Sequence, residues 1–463
     1  MKFKHLLLAS LAVCSFASCS DDDGPKEIVY KDFDARVSIS AVPMNEITKS
    51  SEVTDGDDEK GTINEQFVKT LTAYVFNAAD DSYAGMGTAT ATDDRSVDRI
   101  ENILVKVKAE KAGDISTTSK FKVVLLANVT PTSTPATLSD LNFFTGIADY
   151  SFEEVKDGTS RLPMGSTVFE IGSLAAGTEY NNWVQKGTSS SIVYTENSSE
   201  KILKPNENSV AGVIPGDEYK VDDNDRIALT RYVARVQLES LGAKFTNGNE
   251  GAEFKLKKVH LANVSNASKF LGPDFQHVIG AGDEGVYDQE KAFVRGNFDY
   301  KRSDFYLAAG AKSDALTKEY TNGLSITNSK NIIFDDATIE KTGSSVAMEM
   351  AQFYAFELDG FKIGEDVETK AEVATSDIYT SLILEGEWTN AGVAGATRFF
   401  RISIKHDSNT FGVKRNYIYK VNATLTGEGT PNPDESMLNA FVSFSIHVED
   451  WKVKKQVDDD VNT

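Results

Sequence analysis

Apolar and polar residues alternate with a period of two along much of this chain, and the 3.6-residue recurrence of an amphipathic helix is scarce. Phe67 to Phe76 (FVKTLTAYVF), Phe121 to Val129 (FKVVLLANV), Arg235 to Leu238, Phe254 to Val264 (FKLKKVHLANV), Ile402 to Ile404 and Tyr417 to Leu425 (YIYKVNATL) read as strands. Clusters of Gly, Asn, Asp and Ser separate them, which is turn chemistry. Many short strands with few helices predict an all-β protein built from two β-sandwich domains in tandem. A polar stretch from Gly216 to Asp225 precedes a new apolar run at Ile227, so the expected domains are residues 50–225 and 226–463.

Strand-like segments also stand at both extremities. In Phe33-Asp-Ala-Arg-Val-Ser-Ile-Ser-Ala41, the residues Phe33, Ala35, Val37, Ile39 and Ala41 share one face, and Asp34, Arg36, Ser38 and Ser40 share the other. That pattern predicts a half-buried strand. Residues 44–62 after it are polar and poor in large apolar groups, and Lys49-Ser50 offers a trypsin-like protease a cut site. Near the C-terminus Val442, Phe444, Ile446 and Val448 alternate with Ser443, Ser445, His447 and Glu449. After Trp451, Val453 and Val457 resume the alternation around Lys455.

The first residues carry an address. Lys2 and Lys4 precede an apolar stretch, Leu6 to Val13, too short for a permanent membrane span, so residues 1–18 read as a signal peptide. Phe16-Ala17-Ser18-Cys19 fits a bacterial lipobox, which makes Cys19 the lipidated first residue of the exported chain and residues 19–49 a lipidated propeptide. Several buried methylenes per acyl chain, each at about 0.8 kcal/mol, hold such an anchor in the outer membrane. The aspartates 21–23 behind it favour the cell surface. Cys14 and Cys19 are the only cysteines among 463 residues, so the exported domains have neither a disulfide framework nor a thiolate metal site. A formal net charge of -22 argues against nucleic acid as a partner.

Catalytic chemistry finds little support. The five histidines, His5, His260, His277, His406 and His447, have no metal-pair spacing, and no nucleophile elbow, phosphate loop or zinc motif occurs. Asp55 to Glu59 mimics the start of a calcium loop, but Lys60 stands where the turn glycine is required. No cofactor, metal or enzyme activity is expected. The aromatics at 353–356, Trp388 and Phe399-Phe400 could bind sugars, but strands of a sandwich core use the same residues.

Several pieces in a fixed order resemble the Bacteroidales fimbrillins, the type V pilin family of FimA-type and minor-fimbria major subunits. They are the lipobox at Cys19, Leu162-Pro-Met-Gly165, Leu229-Thr-Arg-Tyr-Val-Ala-Arg-Val236, Arg415-Asn-Tyr-Ile-Tyr-Lys-Val421 and Val448-Glu-Asp-Trp-Lys-Val453. The resemblance implies transthyretin-like sandwiches and a surface precursor. A maturation protease removes the Phe33–Ala41 strand, and a neighbouring subunit donates a C-terminal strand (Val442–Val448 or Trp451–Val457) in its place. The implied partners are copies of the chain in a head-to-tail adhesive polymer, other fimbrial subunits, and the outer membrane before cleavage. Refilling a groove that held five such side chains offers on the order of 5–12 kcal/mol before ordering costs. Familiar relatives are cut after arginine, whereas Arg36 here lies inside the strand to be removed, which leaves Lys49. An uncleaved anchor subunit and a surface glycan-binding lipoprotein are the alternative readings.

Overall fold

The computed structural model describes residues 28–43, 63–92, 95–184, 190–196, 199–203, 226–271, 289–335, 348–359, 361–362, 377–391, 393–407, 412–436 and 442–451. Cys19, Lys49, Ser50, the acidic run 55–59, Val453 and Val457 lie outside the described residues.

The first domain is made of β1 (Lys31–Pro43), β2 (Thr70–Asn77), β3 (Tyr83–Thr90), β4 (Arg99–Ala109), β5 (Phe121–Ala127), β6 (Met164–Gly165), β7 (Gly177–Val184), β8 (Ser190–Glu196), β9 (Ser199–Leu203) and β10 (Ile227–Arg231). One layer runs β4-β1-β7-β8-β9 and the other β10-β6-β5-β2-β3. β1 belongs to both. Its first part pairs with β4 antiparallel and β7 parallel, and its end, Ala41 to Pro43, pairs with β10 parallel. β10, which the expected division after residue 225 places in the second domain, hydrogen-bonds to β1 and β6 of the first. The chain changes domain between Arg231 and Val233.

The second domain comprises β11 (Val233–Ala243), β12 (Glu253–Ala262), β13 (Thr317–Ile326), β14 (Ala351–Phe356), β15 (Ser381–Asn390), β16 (Val393–Ser403), β17 (Tyr417–Leu425) and β18 (Val442–Asp450), with smaller strands between them. β14-β11-β17-β18 form one sheet and β13-β12-β15-β16 the other. β5 and β12 end two residues short of the apolar runs that predict them, and for one reason. Both run into Leu-Ala-Asn-Val, where Asn128 and Asn263 take left-handed backbone at φ 59° and 56°. Their side chains bond the neighbouring loops, Asn128 to the Phe67 and Leu162 carbonyls and Asn263 to those of Tyr306 and Tyr379. Asparagine tolerates this conformation because its amide replaces the lost ladder bonds.

The inner faces of β1, β2, β4 and β5 form one core. A second core fills the other sandwich and continues across the junction, joining Tyr74, Phe76, Leu126 and Phe144 to Tyr232 and Phe356. Phe143–Thr145 pairs as a short strand with Ala267–Lys269 of the other domain. Phe144 there packs on Tyr232, Phe270 and Phe356, with ring centroids 5.2, 4.9 and 5.2 Å away. The aromatics that could have bound sugars, Phe353, Tyr354, Phe356, Trp388, Phe399 and Phe400, are buried core residues.

A prediction follows from this shared packing. Phe144→Ala should cost about 3–5 kcal/mol, the usual toll of truncating a buried phenylalanine. Urea unfolding followed by tryptophan fluorescence should show one transition shifted to lower denaturant, and a shift confined to one of two separate transitions would contradict a continuous core.

Candidate strand-exchange site

β1 departs from the half-buried strand its alternation predicts. Ala35, Val37, Ile39 and Ala41 are buried as expected, but Ser38 and Ser40 are buried too, so residues 37–41 are enclosed on both faces. The cause is topological: a strand passing from one layer to the other has protein on every side. Phe33 is half-buried, whereas Asp34 and Arg36 remain exposed.

Burying the polar face requires that it be satisfied. The Ser38 hydroxyl donates to Asn181 Oδ1 at 2.8 Å and accepts the Asn102 backbone N–H at 3.2 Å. Asn102 stands at φ 62°, at the step in the β1–β4 register between Val37 and Ile39, so Ser38 fills a bulge. The Asn182 amide donates to the Arg36 carbonyl at 2.8 Å and also bonds both backbone groups of Ala175. These contacts key the register more tightly than apolar alternation alone. The sequence signal for them was two serines placed among strictly apolar neighbours.

At the other end of the chain β18 lies antiparallel along β17, at the edge of its sheet. Val442, Ile446 and Val448 are half-buried against the second core, while Phe444 keeps 39% of its surface exposed. Trp451, grouped by sequence with the segments to be donated, is buried at the domain junction. It stacks on Tyr354 (5.9 Å, interplanar angle 10°), with the Arg231 and Arg235 guanidinium groups 4.8 and 5.2 Å from its ring. Its indole N–H has no acceptor among the described residues.

The same pocket holds Glu65, which opens the first domain just after residues 44–62. Arg235 Nη1 bonds both Glu65 carboxylate oxygens at 2.9 Å, and the Tyr354 hydroxyl donates to Oε1 at 2.7 Å. Arg231 donates to the Glu65 carbonyl (3.0 Å), Asn416 Oδ1 (3.1 Å) and the Trp451 carbonyl (3.4 Å). Burial pulls the Arg231 guanidinium down to about 10, still charged at neutral pH, and pushes the Tyr354 phenol far above its ordinary range. Glu65 and Trp451, 386 residues apart in sequence, therefore meet on one buried network. Two other quoted motifs meet at Tyr232, the chain neighbour of Arg231. Met164-Gly165 pairs with β10, and a Cβ on Gly165 would lie 1.8 Å from the Tyr232 hydroxyl. Arg415 makes a two-pronged ion pair with buried Glu357 and lies 4.9 Å from the Tyr232 ring centre.

Among the described residues, no group of three His, Cys, Asp or Glu side chains is arranged to hold a metal ion. The arrangement around β1 is a keyed groove with its own strand inside it.

A family model for the major fimbrial subunit protein (FimA) matches residues 35–231, from within β1 to the last residue of β10. Two solved structures from Parabacteroides distasonis, described as candidate cell adhesion proteins, superpose with TM-scores of 0.55 and 0.56. They are 16% and 18% identical, each covers 91% of this chain, and the match takes in 98% and 100% of theirs. The fimbrilin FimA of Porphyromonas gingivalis superposes at 0.51 with 17% identity, over 92% of this chain and 99% of its own. At such identities the structures establish a shared all-β fold, and the family match is confined to residues 35–231. No curated protein sequence matches the chain.

Glu65→Gln should destabilise the protein by about 3–5 kcal/mol, because it leaves the Arg235 charge buried without its counter-charge. Urea denaturation of the uncut chain, with β1 in place, measures this, and a loss below 1 kcal/mol would mean that water reaches the pair.

Proposed function

We propose that this chain, which resembles the Bacteroidales fimbrillins and matches the major fimbrial subunit family over residues 35–231, is a structural subunit of a cell-surface fimbria. The observation that carries the reading is β1, a strand enclosed on both faces over residues 37–41 and bonded along both edges, followed by the polar stretch 44–62. The chain reaches the surface as a lipoprotein held through Cys19. A protease cuts at Lys49-Ser50, β1 leaves, and the opened groove takes a strand from a neighbouring copy. The neighbour's own groove is filled in turn. Head-to-tail donation does not close on itself, so it builds a filament.

Val37 and Ile39 are the two large side chains fully buried in the groove, and refilling their seats is worth about 3–6 kcal/mol at 1.5–3 kcal/mol each. Both edges of the replaced strand regain a ladder of hydrogen bonds. Adhesion follows from the filament's position on the cell, with copies of this chain and other fimbrial subunits as its partners.

The chain beginning at Ser50 should polymerise in solution, and the full-length chain should remain monomeric until a lysine-specific protease is added. Size-exclusion chromatography with light scattering distinguishes the two. Polymerisation of the uncut chain, or a native surface protein whose N-terminus is acylated Cys19, would overturn maturation by strand removal and make the protein an anchor.

A further inference from the structure

β1 is not the only segment written in its pattern. Phe33-Asp-Ala-Arg-Val-Ser-Ile-Ser-Ala41 and Leu438-Asn-Ala-Phe-Val-Ser-Phe-Ser-Ile446 agree at four of nine positions without a gap: Ala35/Ala440, Val37/Val442, Ser38/Ser443 and Ser40/Ser445. The remaining inward positions, 33, 39 and 41, face apolar residues in both segments. This likeness falls on the positions the groove constrains most, because Ser38 and Ser40 are the residues buried on the polar face.

Resting on the strand-exchange reading, we infer that the donated segment is 438–446 and that it enters in one register, residue n of the donor taking the seat of residue n minus 405. Ser443 then inherits the two bonds of Ser38, to Asn181 and to the Asn102 N–H. A shift of two residues toward the C-terminus would place His447 in the buried seat of Ser40. A shift the other way would place Phe441 in the buried seat of Ser38. Residues 452–463 fail the same test, because Lys454, Lys455 and the aspartates 458–460 would have to enter seats that hold only apolar residues and serine.

Two exposed apolar side chains gain partners in this register. Leu104 on β4, 54% exposed, lies opposite Arg36 in the precursor. In the polymer Phe441 would take Arg36's place and cover it, and Phe444 would move from its exposed position to the buried seat of Ile39. The two seats that receive larger groups, those of Ile39 and Ala41, lie where β1 crosses between the layers.

The donor has a fixed root. The buried Asp434 carboxylate accepts four backbone N–H bonds, from Ser303, Asp304, Phe305 and Leu307, and Ser436 N bonds Asp304. The chain is thus pinned to its own domain up to Ser436, immediately before the donated residues. β18 must leave β17, and Trp451 must leave the junction with it.

The exported domains have no cysteine, so a disulfide can report the register. Directly opposed residues of antiparallel strands have Cβ atoms about 4.5–5.5 Å apart, within reach of a disulfide, and neighbours two residues along do not. In chains beginning at Ser50, L104C is combined in turn with N439C, F441C or S443C, and polymer is oxidised and run on a non-reducing gel. The F441C combination should give a ladder of linked subunits at least tenfold stronger than the other two. Ser443→Leu should abolish polymerisation, whereas Asn439→Leu, facing solvent in Asp34's place, should leave it within twofold. A ladder from N439C or S443C, or polymer with no ladder at all, would overturn the register while strand exchange stands. Absence of polymer from the unsubstituted Ser50 chain would overturn the strand-exchange reading and the register with it.

Discussion

A strand bonded along both edges and enclosed on both faces over five residues, as β1 is from Val37 to Ala41, cannot simply be removed. Without β1, the β4, β7 and β10 edges lose their partners, Asn181 and the Asn102 N–H lose the Ser38 hydroxyl, Asn182 loses the Arg36 carbonyl, and the seats of Val37 and Ile39 open to water. Unpaired donors and acceptors and a wetted apolar slot all penalise the vacant state. The first domain therefore favours a filled groove over an empty one. The demand is selective, since the slot asks for apolar residues on one face and small hydroxyl residues on the other.

The junction between the domains answers a different need. Glu65, Arg231, Arg235, Tyr354 and Trp451 come from four distant parts of the sequence and share one buried site. Charges in such a place are tolerated only when their partners are held, so the network fixes the start of the first domain, the crossing at Arg231 and the end of β18 relative to one another. On the proposed reading, release of β18 would withdraw Trp451 from the Tyr354 ring and the two guanidinium groups and break the Arg231 bond to its carbonyl, while leaving the Glu65–Arg235 pair made.

How much of this was legible beforehand depended on whether the cause was local. Alternation located the strands because pleated backbone turns every second side chain to the core, and the all-β architecture followed. Leu-Ala-Asn-Val ended two strands early through a conformation that only tertiary partners reward. The polar face of β1 looked solvated because alternation reports one buried face and says nothing about a strand lying between two layers. The motifs that carried the family resemblance at Leu162, Arg231, Arg415 and Trp451 proved to be junction residues, since long-range ion pairs and close approaches need particular side chains. The proposed exchange groove carries no comparable motif. The signature inferred for it is a repeated pattern, visible only when residues 33–41 and 438–446 are laid side by side.

That repetition has a physical consequence. On the proposed reading, two segments of one chain suit one seat, and affinity alone does not decide between them. The resident strand is tethered, and a short tether holds its end at an effective concentration of order mM, which a neighbouring subunit's free strand does not match. While Lys49-Ser50 is intact, each subunit satisfies its own groove, and β18 stays on β17 with Trp451 fastened at the junction. Cutting the tether leaves every contact of β1 unchanged and removes only its advantage of proximity. Once β1 can diffuse away, the donor rooted at Ser436 is the segment held close, because each added subunit brings it on a body already bound to the filament. Covalent connection, more than a difference in fit, then orders the two occupants. A donor that copied β1 less faithfully would leave Ser38's partners unsatisfied in every subunit of the polymer.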